Sequence, residues 1–308
     1  MHFTLRQLEV FVAVAQDGTV SGAAHRLAMS QSAASTALGE LERQFEVQLF
    51  DRIGRSLRLN AVGRDLLPRA VALLDRADEI EGLLTRHAVF GDLAIGATLT
   101  VGNYLATLVV ADFLQRYPES HIDLRVHNTT AILEALLRFD LDLGLVEGAC
   151  HHPDLEVEPW VADDLVVFAP PGHPLAGAGW ARWSQLVSEP WILREAGSGT
   201  RATFDQAVAS LEGSPRVRLE LEHTEAIKRS VESGLGLGCI SRLALREAFR
   251  RGSLVPIECP DLKLGRHFNF VWHRHKYRTA GMAAFLDLCR TYTTGVRRSD
   301  EITLPFIP

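Results

Sequence analysis

The chain is poor in cysteine. Cys150, Cys239, Cys259 and Cys289 form no CxxC pair. That spacing speaks against a zinc ribbon or a disulfide framework and suits reduced thiols in the cytoplasm. A run of about 18 apolar residues is lacking too, which excludes an apolar membrane-spanning helix. The start, MHFTLRQLEV, has no basic segment followed by an apolar run, so no secretion signal is expected. Positive charge is not in excess: the net charge is −6. This excludes a protein coated in basic residues, but not a local basic surface. Neither a P-loop nor a GxSxG elbow occurs. The GLGLG run at 234–238 lacks dinucleotide-loop spacing and reads as a helix stop leading into a strand. Cys150, His151 and His152 are adjacent with no partner at zinc spacing, so no metal site is expected. His273 and His275 alternate in a strand-like run and are expected to be partly exposed.

At 308 residues there is room for more than one domain. The most informative stretch is Ala23 to Phe50, AAHRLAMSQSAASTALGELERQFEVQLF. It reads as two helices joined by a tight turn. Ser30 caps the second helix, which opens with Gln31, Ser32, Ser35 and Thr36, while Ala34, Leu38, Leu41 and Phe45 mark its apolar face. A buried helix does not need such a polar end, and an enzyme site would want stronger acids or bases. A helix entering a DNA major groove needs short hydrogen-bonding side chains there. Thr4 caps an earlier helix with Leu5, Leu8, Phe11, Val12 and Ala15 on one face, stopped at Asp17-Gly18. FDRIGRSLRLN then reads as a hairpin wing. Its Arg52, Arg55 and Arg58 form the local basic cluster, suited to phosphate or minor-groove contacts. Capping and ordinary surface charge are the simpler alternatives for these residues.

From Ala61 to about His87 the pattern becomes one long helix, with Leu66, Ala70, Leu73 or Leu74, Ala77, Ile80 and Leu84 recurring at three and four. Pairing with the same helix of a second chain would cover this stripe; packing on its own domain is the alternative. Beyond Gly91, strand-like and helical runs alternate in two groups, which implies α/β lobes with largely parallel sheets and a cleft at the strand C-termini. The expected division is 1–60 for a winged helix-turn-helix, 61–90 for a linker helix and 91–308 for a two-lobed domain. Lobe I covers about 91–162 and 266–300, and lobe II about 163–265.

Helix starts facing the cleft offer free N–H groups and hydroxyls: Thr98 and Thr100, Asn128 and Thr129, Ser198, Gly199 and Thr200, and Thr224. Hydroxyls and N–H groups with little fixed charge suit a small oxyanion. Arg194 and Arg201 would add charge. Glu147 and Glu195 argue against a highly charged ligand unless they point away or hold arginine. A tight turn with an N-cap explains Gly-Ser-Gly-Thr equally well on local grounds.

Taken together, FTLRQLEVFVAVAQDGTVSGAAHRLAMSQSAAS, LFDRIGRSLRLNAVG, the linker helix and the two-lobed domain resemble the LysR-type transcriptional regulators over almost the whole chain. Asn60 stands where that pattern has Thr, Glu46 where it has Gly, and Gly39 lies inside the second helix of the motif. The stretches TVGNYLA, LVEGACH, ILREAGSGTR and HTEAIKRSVESGLGLGCISR are similar to the family's sulfur-metabolism, sulfite-responsive branch. The resemblance implies a non-enzymatic regulator, a homodimer through the linker helix that assembles into a homotetramer. It would bind an inverted-repeat promoter site in double-stranded DNA, contact RNA polymerase, use no cofactor and respond to a small anion such as sulfite. A small organic acid as effector, or a cytoplasmic solute-binding protein without DNA binding, are the alternatives.

Overall fold

The computed structural model describes residues 2–54, 56–84 and 92–303. Arg55 and the expected end of the linker helix at 85–90 lie outside the described residues. Helix α1 spans Leu5–Asp17. It opens with a reciprocal cap: Gln7 N donates to Thr4 Oγ1 at 3.2 Å, and Thr4 N donates to Gln7 Oε1 at 2.9 Å. It ends at Gly18, whose left-handed φ of 70° suits glycine. Its buried face is Leu8, Val10, Phe11, Ala13 and Val14. Leu5 is exposed and Val12 and Ala15 only partly covered, so the stripe is rotated from the expected one. Helix α2 spans Val20–Arg26, and α3 spans Gln31–Gln44 behind the Ser30 cap. Ala34, Leu38 and Leu41 are buried as expected, but Phe45 is exposed at the C-cap of α3, its ring beside Phe3. Glu46 adopts φ 53°, a conformation better suited to the glycine of the family pattern. Strands β1 (Phe50–Ile53) and β2 (Ser56–Leu59) form the antiparallel wing.

Helix α4 spans Ala61–Leu84. Asn60 does at its start what threonine would do: its Oδ1 accepts from Gly63 N at 2.9 Å. Gly63 is required, since a Cβ there would lie 2.2 Å from Leu49 O. Leu67, Ala70 and Val71 pack on the α1–α3 core, while Leu73 and Ile80 remain exposed. The stripe is therefore divided between the chain's own domain and open surface. No helix among the described residues is long and apolar enough to cross a membrane.

The rest is a two-lobed α/β domain. Strand β3 (Asp92–Thr98) leads into a continuous helical run: α5 (Leu99–Val101), a π-helical turn (Gly102–Ala106) and α6 (Thr107–Arg116). Thr100 therefore lies inside the first turn of this run, behind Thr98 at its start. There follow β4 (His121–His127), α7 (Thr129–Leu137), β5 (Leu143–Glu147), β6 (Leu155–Ala169), α8 (Trp183–Leu186) and β7 (Pro190–Arg194). Next come α9 (Gly199–Val208), β8 (Arg216–Leu221), α10 (Thr224–Glu232), β9 (Leu237–Ser241) and α11 (Arg242–Arg251). Strand β10 (Val255–Ile257), β11 (Gly265–His273) and α12 (Ala280–Thr293) complete the described elements apart from a short 3-10 turn at Ser299–Glu301.

The strand order is β4-β3-β5-β11-β6-β9-β7-β8, with β10 on β6. Pairing is parallel within each lobe, for β4-β3-β5 and β9-β7-β8. It is antiparallel where β11 and β6 join them, so the expectation of largely parallel sheets fails at the centre. The first ten residues of β6, LEVEPWVADD, pair with β11 and were not legible as a strand because acids interrupt their apolar pattern. Each lobe buries side chains on both sheet faces. In lobe II, Trp183, Trp191 and Phe204 fill one face, with Ile227, Val231 and Leu245 on the other.

His273 is buried rather than partly exposed, with its ring 4.2 Å from that of Phe139. Burial, reinforced by His275, pushes its pKa down to about 4.

Candidate nucleic-acid interface and effector site

The first two turns of α3 present Gln31, Ser32, Ser35 and Thr36 to solvent, opposite buried Ala34 and Leu38. Ser30 Oγ accepts from Ala33 N at 3.2 Å and lies 3.0 Å from Ser32 Oγ. The cap thus fixes the helix start and engages Ser32, while Gln31, Ser35 and Thr36 stay exposed. In the wing, Arg52 lies opposite Leu57 and Arg58 opposite Asp51. Both arginines are exposed. Arg58 also lines a cavity of about 860 Å³ between the wing, α4 and lobe I. Arg55 cannot be placed with them, being outside the described residues.

Between the lobes, the predicted polar residues converge around Glu147, the last residue of β5. Its Oε1 accepts the Thr100 N–H at 2.7 Å, and its Oε2 accepts the Thr200 hydroxyl at 3.0 Å. Thr98 Oγ1 accepts from Glu147 N at 3.2 Å and donates to Leu145 O at 3.3 Å. From lobe II, Gly199 N donates to Thr129 Oγ1 at 3.0 Å, and Ser198 Oγ accepts from Thr200 N at 3.2 Å. Asn128 caps α7 through Ala131 N at 3.1 Å. This close meeting of the lobes depends on Gly199: a Cβ there would sit 2.1 Å from Glu147 O.

The residue that organises the cluster went unnoticed in the sequence. Arg266, near the start of β11, donates through Nη1 to Thr200 Oγ1 and contacts Glu147 Oε2, both at 3.0 Å. Its Nε donates to Asp163 Oδ2 at 2.7 Å. The other oxygen of Asp163 accepts from Ser241 at 2.6 Å and Ser299 at 2.5 Å. The side chains of Arg266, Glu147 and Asp163 are all at most 2 % exposed. Burial works to raise the Glu147 pKa, but Arg266, Arg194 and Thr100 outweigh it and hold the group below its ordinary value. At Asp163 burial prevails over Arg266 and the two serines, and the pKa is raised. Only the need of two buried carboxylates for a counter-charge could have pointed to Arg266 in advance.

Arg194 is buried and gripped by its neighbour Glu195 at 2.7 and 2.9 Å. Arg201 is held by Asp205 and Glu220. Both acids that argued against a charged ligand therefore hold arginine. Among the buried side-chain groups without a hydrogen-bond partner are Arg266 Nη2 and the Thr224 hydroxyl at the start of α10. Among the described residues no cluster of His, Cys, Asp and Glu is suited to a metal. Burial pushes the thiol of Cys150 up to about 11.

Comparison with known proteins decides the family. Residues 5–64 match the bacterial regulatory helix-turn-helix protein, lysR family, and residues 87–294 match the LysR substrate binding domain. The chain belongs to the LysR-type transcriptional regulators. The HTH-type transcriptional regulator YeiE of Escherichia coli K12 is 44% identical over 289 residues, covering 94% of this chain and 98% of that protein. Among solved structures, full-length OxyR from Pseudomonas aeruginosa superposes with a TM-score of 0.73 at 22% identity, over 94% of this chain and 95% of that one. The CcmR regulatory domain of Synechocystis in complex with 2-PG gives 0.63 at 28% identity, over 67% of this chain and 99% of that one. LysR-type membership makes the chain a DNA-binding regulator with an effector-binding domain rather than an enzyme.

Proposed function

We propose that this LysR-type regulator acts in the cytoplasm as a homo-oligomer. It reads an inverted-repeat promoter site through Gln31, Ser32, Ser35 and Thr36, with Arg52, Arg55 and Arg58 on the sugar-phosphate backbone. Pairing through the exposed Leu73 and Ile80 of α4 would give two-fold related arms, and two-fold arms match an inverted repeat. The effector is a small oxyanion, with sulfite or a related sulfur species the best candidate. It contacts Thr98, Thr100, Asn128, Thr129, Glu147, Arg194, Ser198, Gly199, Thr200 and Thr224. Its binding alters DNA bending and contact with RNA polymerase.

One observation carries the effector reading. An anion, the Glu147 carboxylate, already rests on the donors that an oxyanion needs, while Arg266 Nη2 and Thr224 Oγ1 stay buried and unpartnered. A pyramidal or tetrahedral anion suits such short hydroxyl and N–H donors. A small organic acid is the second reading, favoured by the CcmR domain solved with 2-PG. A solute-binding protein without DNA binding is disfavoured by the match over residues 5–64.

The test is gel retardation of a fragment carrying the chain's own promoter, with and without sulfite. Retardation with a sulfite-dependent change in mobility or footprint is expected. Retardation that no sulfur oxyanion alters would remove the effector assignment and leave the organic acid.

A further inference from the structure

Strands β5 and β11 are antiparallel neighbours, with Phe268 opposite Glu147 and Val271 opposite Gly144. This two-strand ribbon carries an ion pair at each end, buried at the cleft and partly buried at the far end. At the cleft end Glu147 meets Arg266 at 3.0 Å. At the far end Lys276 Nζ meets Asp142 Oδ1, just before β5, at 2.7 Å. The same ammonium holds Asp75 of helix α4 at 2.8 Å. Lys276 is tied to the strand end, its N–H donating to His273 O at 2.8 Å. Asp142 is tied to β3, its other oxygen accepting from Ala94 N at 2.7 Å.

One turn further along α4, Glu79 accepts from Tyr277 Oη at 2.9 Å and from Ala280 N at 2.8 Å, at the start of α12. Arg76 lies 4.8 Å over the Tyr277 ring. The helix that carries the DNA-binding domain is thus gripped by the segment that leaves β11. Asp142 and Glu147, the acids of the two ion pairs, are five residues apart, about 16 Å.

We propose that the β5–β11 ribbon couples the interlobe cleft to the angle of helix α4. Glu147–Arg266 is the input, and Lys276, shared between Asp142 and Asp75, is the output latch. Two carboxylates hold one ammonium at the latch, so a shift of β11 against β5 moves Lys276 between them. If the ammonium is drawn from Asp75, that carboxylate is left half-buried beside another, and α4 is released. Packed strands favour discrete alternatives over gradual bending, as a switch requires. The inference rests on the reading of the cleft as the regulatory site, but its test uses no ligand. It therefore stands or falls separately from the identity of the effector.

The experiment is hydrogen–deuterium exchange of the full chain in wild type, Glu147→Gln, Asp75→Asn and the double variant. The amides of α4 and of 274–280 report the latch, those of 99–106 and 198–204 report the cleft, and β9 is the reference. Glu147→Gln is expected to speed exchange at the latch about fivefold or more, the lower end of coupling between distinct sites. Asp75→Asn is expected to alter exchange in the cleft by a matching factor, and the double variant to depart from the product of the two. Lys276→Gln, which keeps a hydrogen-bonding side chain at the latch, should repeat the Asp75→Asn effect. Changes confined to the mutated end, factors that simply multiply, or a rise at the latch no larger than the rise at β9 would overturn the coupling.

Discussion

Replacing Arg266 with methionine removes the guanidinium that touches both Glu147 and Asp163. Methionine fills most of the volume, so the loss is chiefly one of charge. Two carboxylates then remain buried without their counter-ion. Breaking a buried pair from one side costs about 3–5 kcal/mol. For a domain of this size 1 kcal/mol moves Tm by about 2–4 °C, so the variant should melt about 6–20 °C lower at pH 7. Glu147→Gln should cost far less, about 1–2 kcal/mol, because Arg266 keeps Asp163 and the amide still accepts the Thr100 N–H.

The two changes should be non-additive, since the charge left behind in the first is the one removed by the second. The pH dependence has a fixed sign. Arg266 holds the Glu147 pKa below its ordinary value, so its contribution is present above the ordinary carboxylate range and is lost as pH falls through the folded value. The deficit of Arg266→Met is therefore largest near neutrality and shrinks toward pH 4, where the orphaned carboxyls take up protons. Calorimetric unfolding of the full chain between pH 4 and 8 measures it. A deficit below 1 kcal/mol, or one that grows on acidification, would refute the electrostatic account of the cluster.

Gly199→Ala places a methyl group 2.1 Å from Glu147 O. The lobes must part, at about 1–3 kcal/mol of stability; an unchanged Tm would show that the loop is free to retreat. In the DNA-binding domain, Gln31→Ala should cost about 1–3 kcal/mol against the specific site and little against random duplex. Arg52→Ala should instead weaken both and reduce the salt slope by about one, as anisotropy titrations at several salt concentrations would reveal. The neutral ring of His273 is favoured on folding, its pKa falling from 6.5 to about 4. Stability should accordingly drop as pH falls through that window, and His273→Phe should flatten the drop in urea unfolding.

Local signals made much of this molecule legible in its sequence. The Thr4 and Ser30 caps, the glycine stop at Gly18 and the Ala34–Leu38–Leu41 face depend on neighbours within one or two turns, and they stand where the pattern puts them. Phe45 and Leu5 were misassigned because periodicity locates an apolar stripe but not which edge of it a neighbour covers. The first ten residues of β6 are hidden because Glu156, Glu158, Asp163 and Asp164 are strand residues whose partners, Trp272, Arg290, Arg266 and Arg298, lie far along the chain.

The cleft divides in the same way. Hydroxyls at helix starts follow from short motifs, and Thr100, Thr129, Ser198 and Thr200 do meet around one point. Arg266 has no motif. Its role comes from the register of β11 against β5 and β6, a property of tertiary pairing. Lys276 went unnoticed for the same reason, since its two carboxylates lie some 130 and 200 residues earlier in the chain.

The most direct test of the central claim is calorimetric titration of the full chain with sulfite, with sulfate, thiosulfate and phosphate alongside. The account predicts selective, saturable binding of sulfite that is lost in Ser198→Ala and Thr100→Val while both variants keep the wild-type Tm within a few degrees. Binding of none of these anions to the wild type, or sulfite binding that both variants retain, would contradict it.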